Sequence, residues 1–281
     1  MTNSTLRSNA RSGIIRTMTV VAVAAFTTAS TASAQTDYYN TDAGRPLTIE
    51  DASATERYAF ELQLAPIRLE RSAGGRYRWE AEPEIAYGIL PRTQLELGLP
   101  FQYAESEGGS NKFGLAGISL SLLHNLNVET ALPALAVSGD ALLPVGPFSP
   151  DEPVFTTRML ATRTFPWARF HVNAQYSFGD ESTGEPDGPR AELSRWLAGV
   201  AVDRTFPLRS ILVGAELFAS ESLQSSEATE WSAAIGLRKQ LSPAFNVDAG
   251  IGRELNGPDR TWFATFGFAH SFAIRSLMPA R

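Results

Sequence analysis

The chain has 281 residues, 43% hydrophobic and 19% charged, with no Cys, and its 24 basic and 30 acidic side chains leave a net charge of −6. The missing cysteines exclude a disulfide scaffold, a thiolate metal site and a cysteine nucleophile; the acidic balance excludes a nucleic-acid partner, which needs a basic face. No run reaches the ~18 apolar residues of a membrane helix, but a β-barrel stays open because alternating strands keep mean hydropathy low.

The first 34 residues have the order of a secretory signal sequence. Arg7, Arg11 and Arg16 give a basic start, Val20 to Phe26 a short apolar stretch, and Ala32-Ser33-Ala34 an A-x-A end. Cleavage near Ala34 is therefore expected, with export to a bacterial envelope. Residues 35–55 are polar and without sustained period. Thr48 ahead of Glu50-Asp51-Ala52 allows one short helical turn. The segment is expected either to hang in the periplasm as a tether or to enter a lumen as a plug.

From residue 56 onward the period is two. Twelve alternating runs lie at roughly 56–70, 75–89, 93–103, 112–125, 133–143, 154–165, 168–179, 191–205, 210–221, 229–241, 244–254 and 261–273. Phe245, Val247, Ala249 and Ile251 share one face of their run; Asn246, Asp248, Gly250 and Gly252 share the other. Such runs exceed the five or six residues usual in soluble sheets and match the ~9–11 needed to cross a bilayer. The connections sort into two sets that alternate along the chain. One is short and proline-bearing, as in Leu90-Pro91-Arg92 and Phe206-Pro207-Leu208; the other is longer and polar, as in 179–190. An outer-membrane barrel shows this asymmetry. Tyr58, Trp79, Tyr87, Tyr103, Tyr176, Trp196, Trp231, Trp262 and Phe272 fall near run ends, where a barrel carries its aromatic girdles. The expected fold is thus all-β: one transmembrane antiparallel barrel of about twelve strands over 56–273, with a tail at 274–281.

The last run has Thr265, Gly267, His270 and Phe272 at a spacing that resembles the terminal signal read by the bacterial barrel-insertion machinery. That machinery and outer-membrane lipid are the partners this implies.

A closed barrel turns its polar faces inward. Those faces carry Glu61, Glu80, Glu82, Glu84, Glu96, Asp140, Asp203, Glu216, Glu230 and Asp248, with Arg76, Arg78, Arg158, Arg195, Arg238 and His171. In a dry core each charge would need a partner; in a wet lumen they are natural. Twelve strands lie between the filled eight-stranded barrel and the open sixteen-stranded one, so a narrow charged lumen is expected. The strip Arg76, Arg78, Glu80, Glu82, Glu84 reads either as a selectivity ladder or as one side of an internal salt-bridge network. No serine stands at the spacing a barrel phospholipase needs beside His171 or His270. No metal spacing, phosphate loop or dinucleotide fingerprint is present, and no cofactor is expected. Gly114 and Gly117 read as strand-kink glycines.

The stretch GRPLTIEDA, the strand Tyr58 to Leu64, and then Glu84-Ile85-Ala86-Tyr87-Gly88 and Arg92 to Leu97 resemble the bacterial family named for the MetA pathway of phenol degradation. The resemblance continues through Phe113 to Gly117, with Ile118 where that family carries Asp. It implies an outer-membrane barrel that transports aromatic or other hydrophobic compounds. The reading of the whole sequence is a channel or transporter for small solutes in the outer membrane, without catalytic residues. The rivals are a structural or surface-binding barrel with a blocked lumen, and a membrane-embedded hydrolase built on paired carboxylates.

Overall fold

The computed structural model describes residues 31–32, 40–42, 44–63, 67–72, 75–105, 111–179, 193–222, 229–256 and 260–278. Most of the signal-like segment and of the longest polar connection lies outside these residues. The chain crosses the wall twelve times. The crossings are β1 (Ala59–Gln63 and Ile67–Arg71), β2 (Tyr77–Ala81 and Glu84–Leu90), β3 (Thr93–Gly98 and Phe101–Glu105) and β4 (Asn111–Leu115 and Ile118–Asn125). They continue as β5 (Ala134–Leu143), β6 (Val154–Thr164), β7 (Arg169–Phe178), β8 (Ser194–Phe206), β9 (Ile211–Ser222), β10 (Glu230–Ser242), β11 (Phe245–Glu254) and β12 (Trp262–Ile274). Each pairs antiparallel with the next, and β12 pairs with both parts of β1, so the sheet closes. Closure leaves no free edge, as a strand in lipid requires.

The two-residue period decides which face meets what. Leu97, Phe155, Met159, Val172, Ile235, Ile251 and Phe266 stand exposed on the outside. Ser138, Asn173, Asp203, Arg238, Asn246 and Asp248 are buried on the inside. A greasy exterior and a polar interior are the reverse of a soluble protein and suit a wall surrounded by lipid. Aromatic rings pack in groups near both ends of the wall. Trp79 stacks on Tyr103 and tilts against Phe113, while Phe60 stacks between Tyr87 and Phe272 across the closing seam.

The first four crossings differ from the other eight. Each is divided, whereas β5 to β12 run unbroken for 10 to 13 residues. Pro83, Pro100 and Gly117 stand at the breaks of β2, β3 and β4, evenly spaced in the sequence. Proline has no N–H to give the ladder. One bond bridges each step along this line: Leu99 N–H donates to the Pro83 carbonyl at 3.0 Å and Ala116 N–H to that of Pro100 at 2.8 Å. At Gly117 (φ +138°) the register of β3 against β4 shifts by one residue. That conformation is open to glycine and strained for other residues. The inward positions of β4 therefore change from Gly114 to Ser119 and Ser121. A one-residue slip flips every side chain beyond it, and the kink glycine absorbs that slip. The register likewise shifts by one between the two parts of β1.

Candidate functional site

Residues 40–42 and 44–56 run inside the barrel, and their path follows the wall. Arg45 reaches β11 and β1: its guanidinium donates to Asp248 at 2.7 Å and to the Gln63 side-chain amide oxygen Oε1 at 3.0 Å. Thr265 of β12 donates to the Pro46 carbonyl at 3.1 Å. Ile49 N–H meets the Glu216 carboxylate of β9 at 2.8 Å. Asn173 of β7 accepts from Glu50 N–H and donates to the Glu50 carbonyl, both at 2.8 Å. Ala52 N–H donates to Thr162 of β6 at 2.9 Å, and its carbonyl accepts from Asn125 of β4 at 2.6 Å. Thr55 N–H ends on Gln94 of β3 at 2.6 Å. From Ile49 onward the segment circles the inner wall in descending strand order, β9, β7, β6, β4 and β3, before it becomes β1. We call it the inner strap.

A strap so placed would leave buried backbone groups unpaired; the wall's side-chain amides, hydroxyls and carboxylates pair many of them. Room comes from glycine. A Cβ on Gly250 would lie 2.4 Å from the Pro46 oxygen, one on Gly236 2.8 Å from the Pro46 Cβ, one on Gly214 2.8 Å from Leu47 and one on Gly199 2.7 Å from Ile49. These four glycines belong to adjacent strands, β8 to β11. Leu47 and Ile49 then fill an apolar patch of inward side chains: Leu197, Ala201, Phe218, Ala234 and Phe263. A second patch, Leu123, Ala136 and Leu160, receives Ala52.

Ion pairs fasten the strap. Arg45, wholly buried, pairs with Asp42 at 2.9 Å as well as with Asp248. Arg238 pairs with Asp42 at 3.0 Å and donates to the carbonyls of Asn40 and Arg45. Glu50 grips Arg158, which is held from behind by Asp140 at 2.9 Å. Asp51 meets Arg169 at 3.3 Å, and Arg169 meets Asp203 at 2.7 Å. Thr41 and Asp51 close the strap on itself, each backbone N–H meeting an oxygen of the other residue at 3.2 Å. Burial pushes the Glu50 carboxyl up to about 7 while Arg158 pulls it down.

Beside the strap a chamber of about 190 Å³ remains. Its wall is Glu82, Glu84, Gln94, Glu96, Ser119, Ser121, Asp140 and Arg158, and the strap contributes Thr41, Asp42, Glu50 and Ser53. On β2, β4 and β6 chamber residues lie farther from the short-turn end than the residues that meet the strap backbone: Glu82 and Glu84 beyond Gly88, which lies against Glu56, Ser119 and Ser121 beyond Asn125, and Arg158 beyond Thr162; on β3 Gln94 does both. The strap is therefore the chamber's floor and the long-connection end its roof. Ser119 donates to Glu82 at 2.5 Å and Gln94 to Glu96 at 2.8 Å.

The sequence candidates separate into three groups. Arg158, Asp203, Glu216, Arg238 and Asp248 hold the strap, directly or through one partner. Glu82, Glu84, Glu96 and Asp140 line the chamber. Glu80 accepts from Gln102 at 2.7 Å higher in the wall, Arg76 is exposed at the mouth, and Arg195 caps the carbonyls of Ser177 and Gly179 at 3.2 and 3.0 Å. Glu230 lies at the long-connection end of β10. Gly267, His270 and Phe272 sit on β12, with the His270 ring 6.1 Å from that of Phe272 on the outer face. Arg45, Asp51, Asn125, Thr162 and Asn173 are absent from the sequence candidates; the alternation of Leu47 and Ile49 is a signal that could have pointed to an extended segment here, where the sequence allowed a short helical turn and the structure has none.

His171 joins Thr162 at 3.0 Å to Asp203 at 2.8 Å. The order hydroxyl, imidazole, carboxylate is that of a hydrolytic triad. Here the Thr162 oxygen already accepts Ala52 N–H, Asp203 is shared with Arg169, and all three side chains are buried beneath the strap. The arrangement positions the strap. Among the described residues no group of His, Asp and Glu is disposed to hold a metal ion.

With this geometry in hand, comparison with known proteins adds the family. The family described as "Putative MetA-pathway of phenol degradation" matches residues 73–272. The chain belongs to this family. Among solved structures, the COG4313 outer membrane channel from Pseudomonas putida F1 aligns with TM-score 0.52 at 10% identity, over 79% of this chain and 98% of that one. KdgM porin aligns with TM-score 0.49 at 8% identity, over 75% and 98% of the two chains. The CymD monoaromatic hydrocarbon channel aligns with TM-score 0.43 at 8% identity, over 77% and 89%. At such identities the likeness is one of fold alone: a closed twelve-stranded antiparallel barrel, shared with the COG4313 channel. No curated protein matches the chain by sequence. The match to the MetA-pathway family begins after the strap, so the GRPLTIEDA stretch falls outside it.

Proposed function

We propose that this member of the MetA-pathway family is an outer-membrane channel for small solutes, non-enzymatic, whose passage is limited by the inner strap. The observation that carries the reading is the chamber: a carboxylate-lined space beside the strap, with Glu82, Glu84, Glu96 and Asp140 facing it and Arg158 as its cation. A barrel built only as a scaffold has no need to keep such a space. Fixed carboxylates in a narrow lumen attract cations and repel anions, so small cationic or neutral polar solutes are the expected class. The aromatic and hydrophobic solutes that the family's name suggests are a separate expectation; for them the apolar patch under Leu47 and Ile49 is the matching surface.

One observation favours a second reading. The strap is fastened by Arg–carboxylate pairs, which also suits a lumen that stays blocked. Planar-bilayer conductance separates the two. The mature chain is compared with a variant lacking residues 40–55 and with Glu82, Glu84 and Glu96 changed to Gln. A small cation-preferring current that grows without the strap, and loses its preference in the triple Gln variant, supports the gated channel. No current from folded, inserted protein with or without the strap supports the blocked barrel.

A further inference from the structure

The connection between β5 and β6, residues 144–153, does not stay outside the barrel. Phe148 is 1% exposed although it belongs to a connecting segment. It packs with Ala116, and Ala104 and Leu193 pack against the pair. Ala104 stands on the same face of β3 as the buried Gln102, opposite Tyr103, whose ring joins the outer aromatic group. Gly114, which pairs with Gln102, is likewise inward, opposite the exposed Phe113. Leu193 stands at the start of β8, across the mouth from β3 and β4. The connection therefore folds over the rim and lies against the inner face of the upper wall.

Two glycines and one hydrogen bond fix it there. A Cβ on Gly114 would fall 2.2 Å from the Pro147 ring, and one on Gly146 (φ +108°) 2.4 Å from the Leu115 carbonyl oxygen. Phe148 N–H donates to that same oxygen at 3.0 Å. An aromatic ring inserted in this way removes apolar area from water and stays put.

We infer that Pro147–Phe148 forms the roof of the chamber and sets the size of solute admitted from the long-connection side. The inference rests on the channel reading, but its test reads access to the chamber and not current. The chain has no cysteine, so a single Ser121→Cys on the chamber wall is a clean reporter. Its reaction with a small methanethiosulfonate ethylammonium reagent and with a bulky fluorescein maleimide is timed in the refolded mature protein. The background is otherwise wild type, or carries Phe148→Ala or Gly114→Val. Both variants are expected to raise the bulky reagent's rate about tenfold, and to change the small reagent's rate by less than about twofold. Leu193→Ala, a milder change at the opposite rim, is expected to move the bulky rate in the same direction. Resistance to unfolding in cold detergent confirms that each barrel is intact. An unchanged bulky rate in all three variants overturns the roof. Access unaffected by the roof but raised by deleting the strap would place the size limit at the floor. Chamber access that obeys Phe148 in a protein carrying no current would keep the roof and remove the channel.

Discussion

Two sets of four strands solve one problem with different emphasis. Both must leave room inside a barrel too narrow to be empty. The set from β8 to β11 has continuous strands, and it makes room by deleting side chains: Gly199, Gly214, Gly236 and Gly250 form a track on which the strap lies. The set from β1 to β4 also has inward glycines, Gly88 against Glu56 and Gly114 against Pro147, but it holds the chamber carboxylates Glu82, Glu84 and Glu96 and divides its strands, at Pro83, Pro100 and Gly117 in β2, β3 and β4. The unbroken set carries the strap's apolar anchors; the divided set faces the chamber. Rigidity and emptiness are thus assigned to different strands, and a substitution's effect should depend on which set it strikes.

The sharpest way to break this comparison is to remove the strap. Deletion of residues 40–55 should leave a folded barrel whose conductance rises several-fold, the largest effect expected. Next come single losses from the buried ion-pair cluster. Arg45→Ala removes the contacts to Asp248, Asp42 and Gln63 together and leaves Asp248 to Arg238 alone, at 3.4 Å; it should weaken strap docking by about 3–5 kcal/mol, read as faster proteolysis of the strap in detergent. Leu47→Ala removes its anchor from the apolar patch for about 2–5 kcal/mol, by the same readout. Gly250→Ala tests the track itself. Its new methyl meets backbone at Pro46, so the strap must shift, at about 1–3 kcal/mol. Alanine at Gly139, where a Cβ meets nothing within 4 Å, should leave docking unchanged. The last effect is graded and concerns pH. Because burial raises the Glu50 carboxyl from 4.5 to about 7, docking takes up a proton between those values. Docking should therefore tighten as pH falls from 8 towards 5, and Glu50→Gln should flatten that slope in the open probability.

Much of the fold was legible in the sequence, because alternation is a direct consequence of strand geometry and the two kinds of connection alternate with it. Twelve runs became twelve crossings, and Gly117 kinks β4. The divisions of β2 and β3 were less visible: Pro83 and Pro100 lie within or beside runs whose parity they do not disturb, so the alternation reads straight through them. The inward identity of Asp203, Glu216, Arg238 and Asp248 followed from parity, but their partners did not. Parity says which face a residue is on; it is silent about what is brought to that face from elsewhere in the chain. Residues 35–55 left both a tether and a plug open, since a segment of about twenty residues with one alternating pair carries little period. Nor did any local signal mark Thr162 and Asn173, whose importance arises only when Ala52 and Glu50 arrive.

The direction in which the strap runs has a mechanical consequence. Its far end is continuous with β1 and so is welded to the wall, while its hold on β11 and β12 lies at the other end. A pull from the Asn40 side would meet the contacts of Arg45, Ile49, Glu50, Ala52 and Thr55 one after another, like a zip opened tooth by tooth. A push arriving from the chamber would load the same contacts together, in shear. Sequential rupture takes far less force than simultaneous rupture of the same bonds. The strap should accordingly yield to traction on its Asn40 end at lower force than to pressure from the chamber, a difference that single-molecule pulling on the docked strap would read.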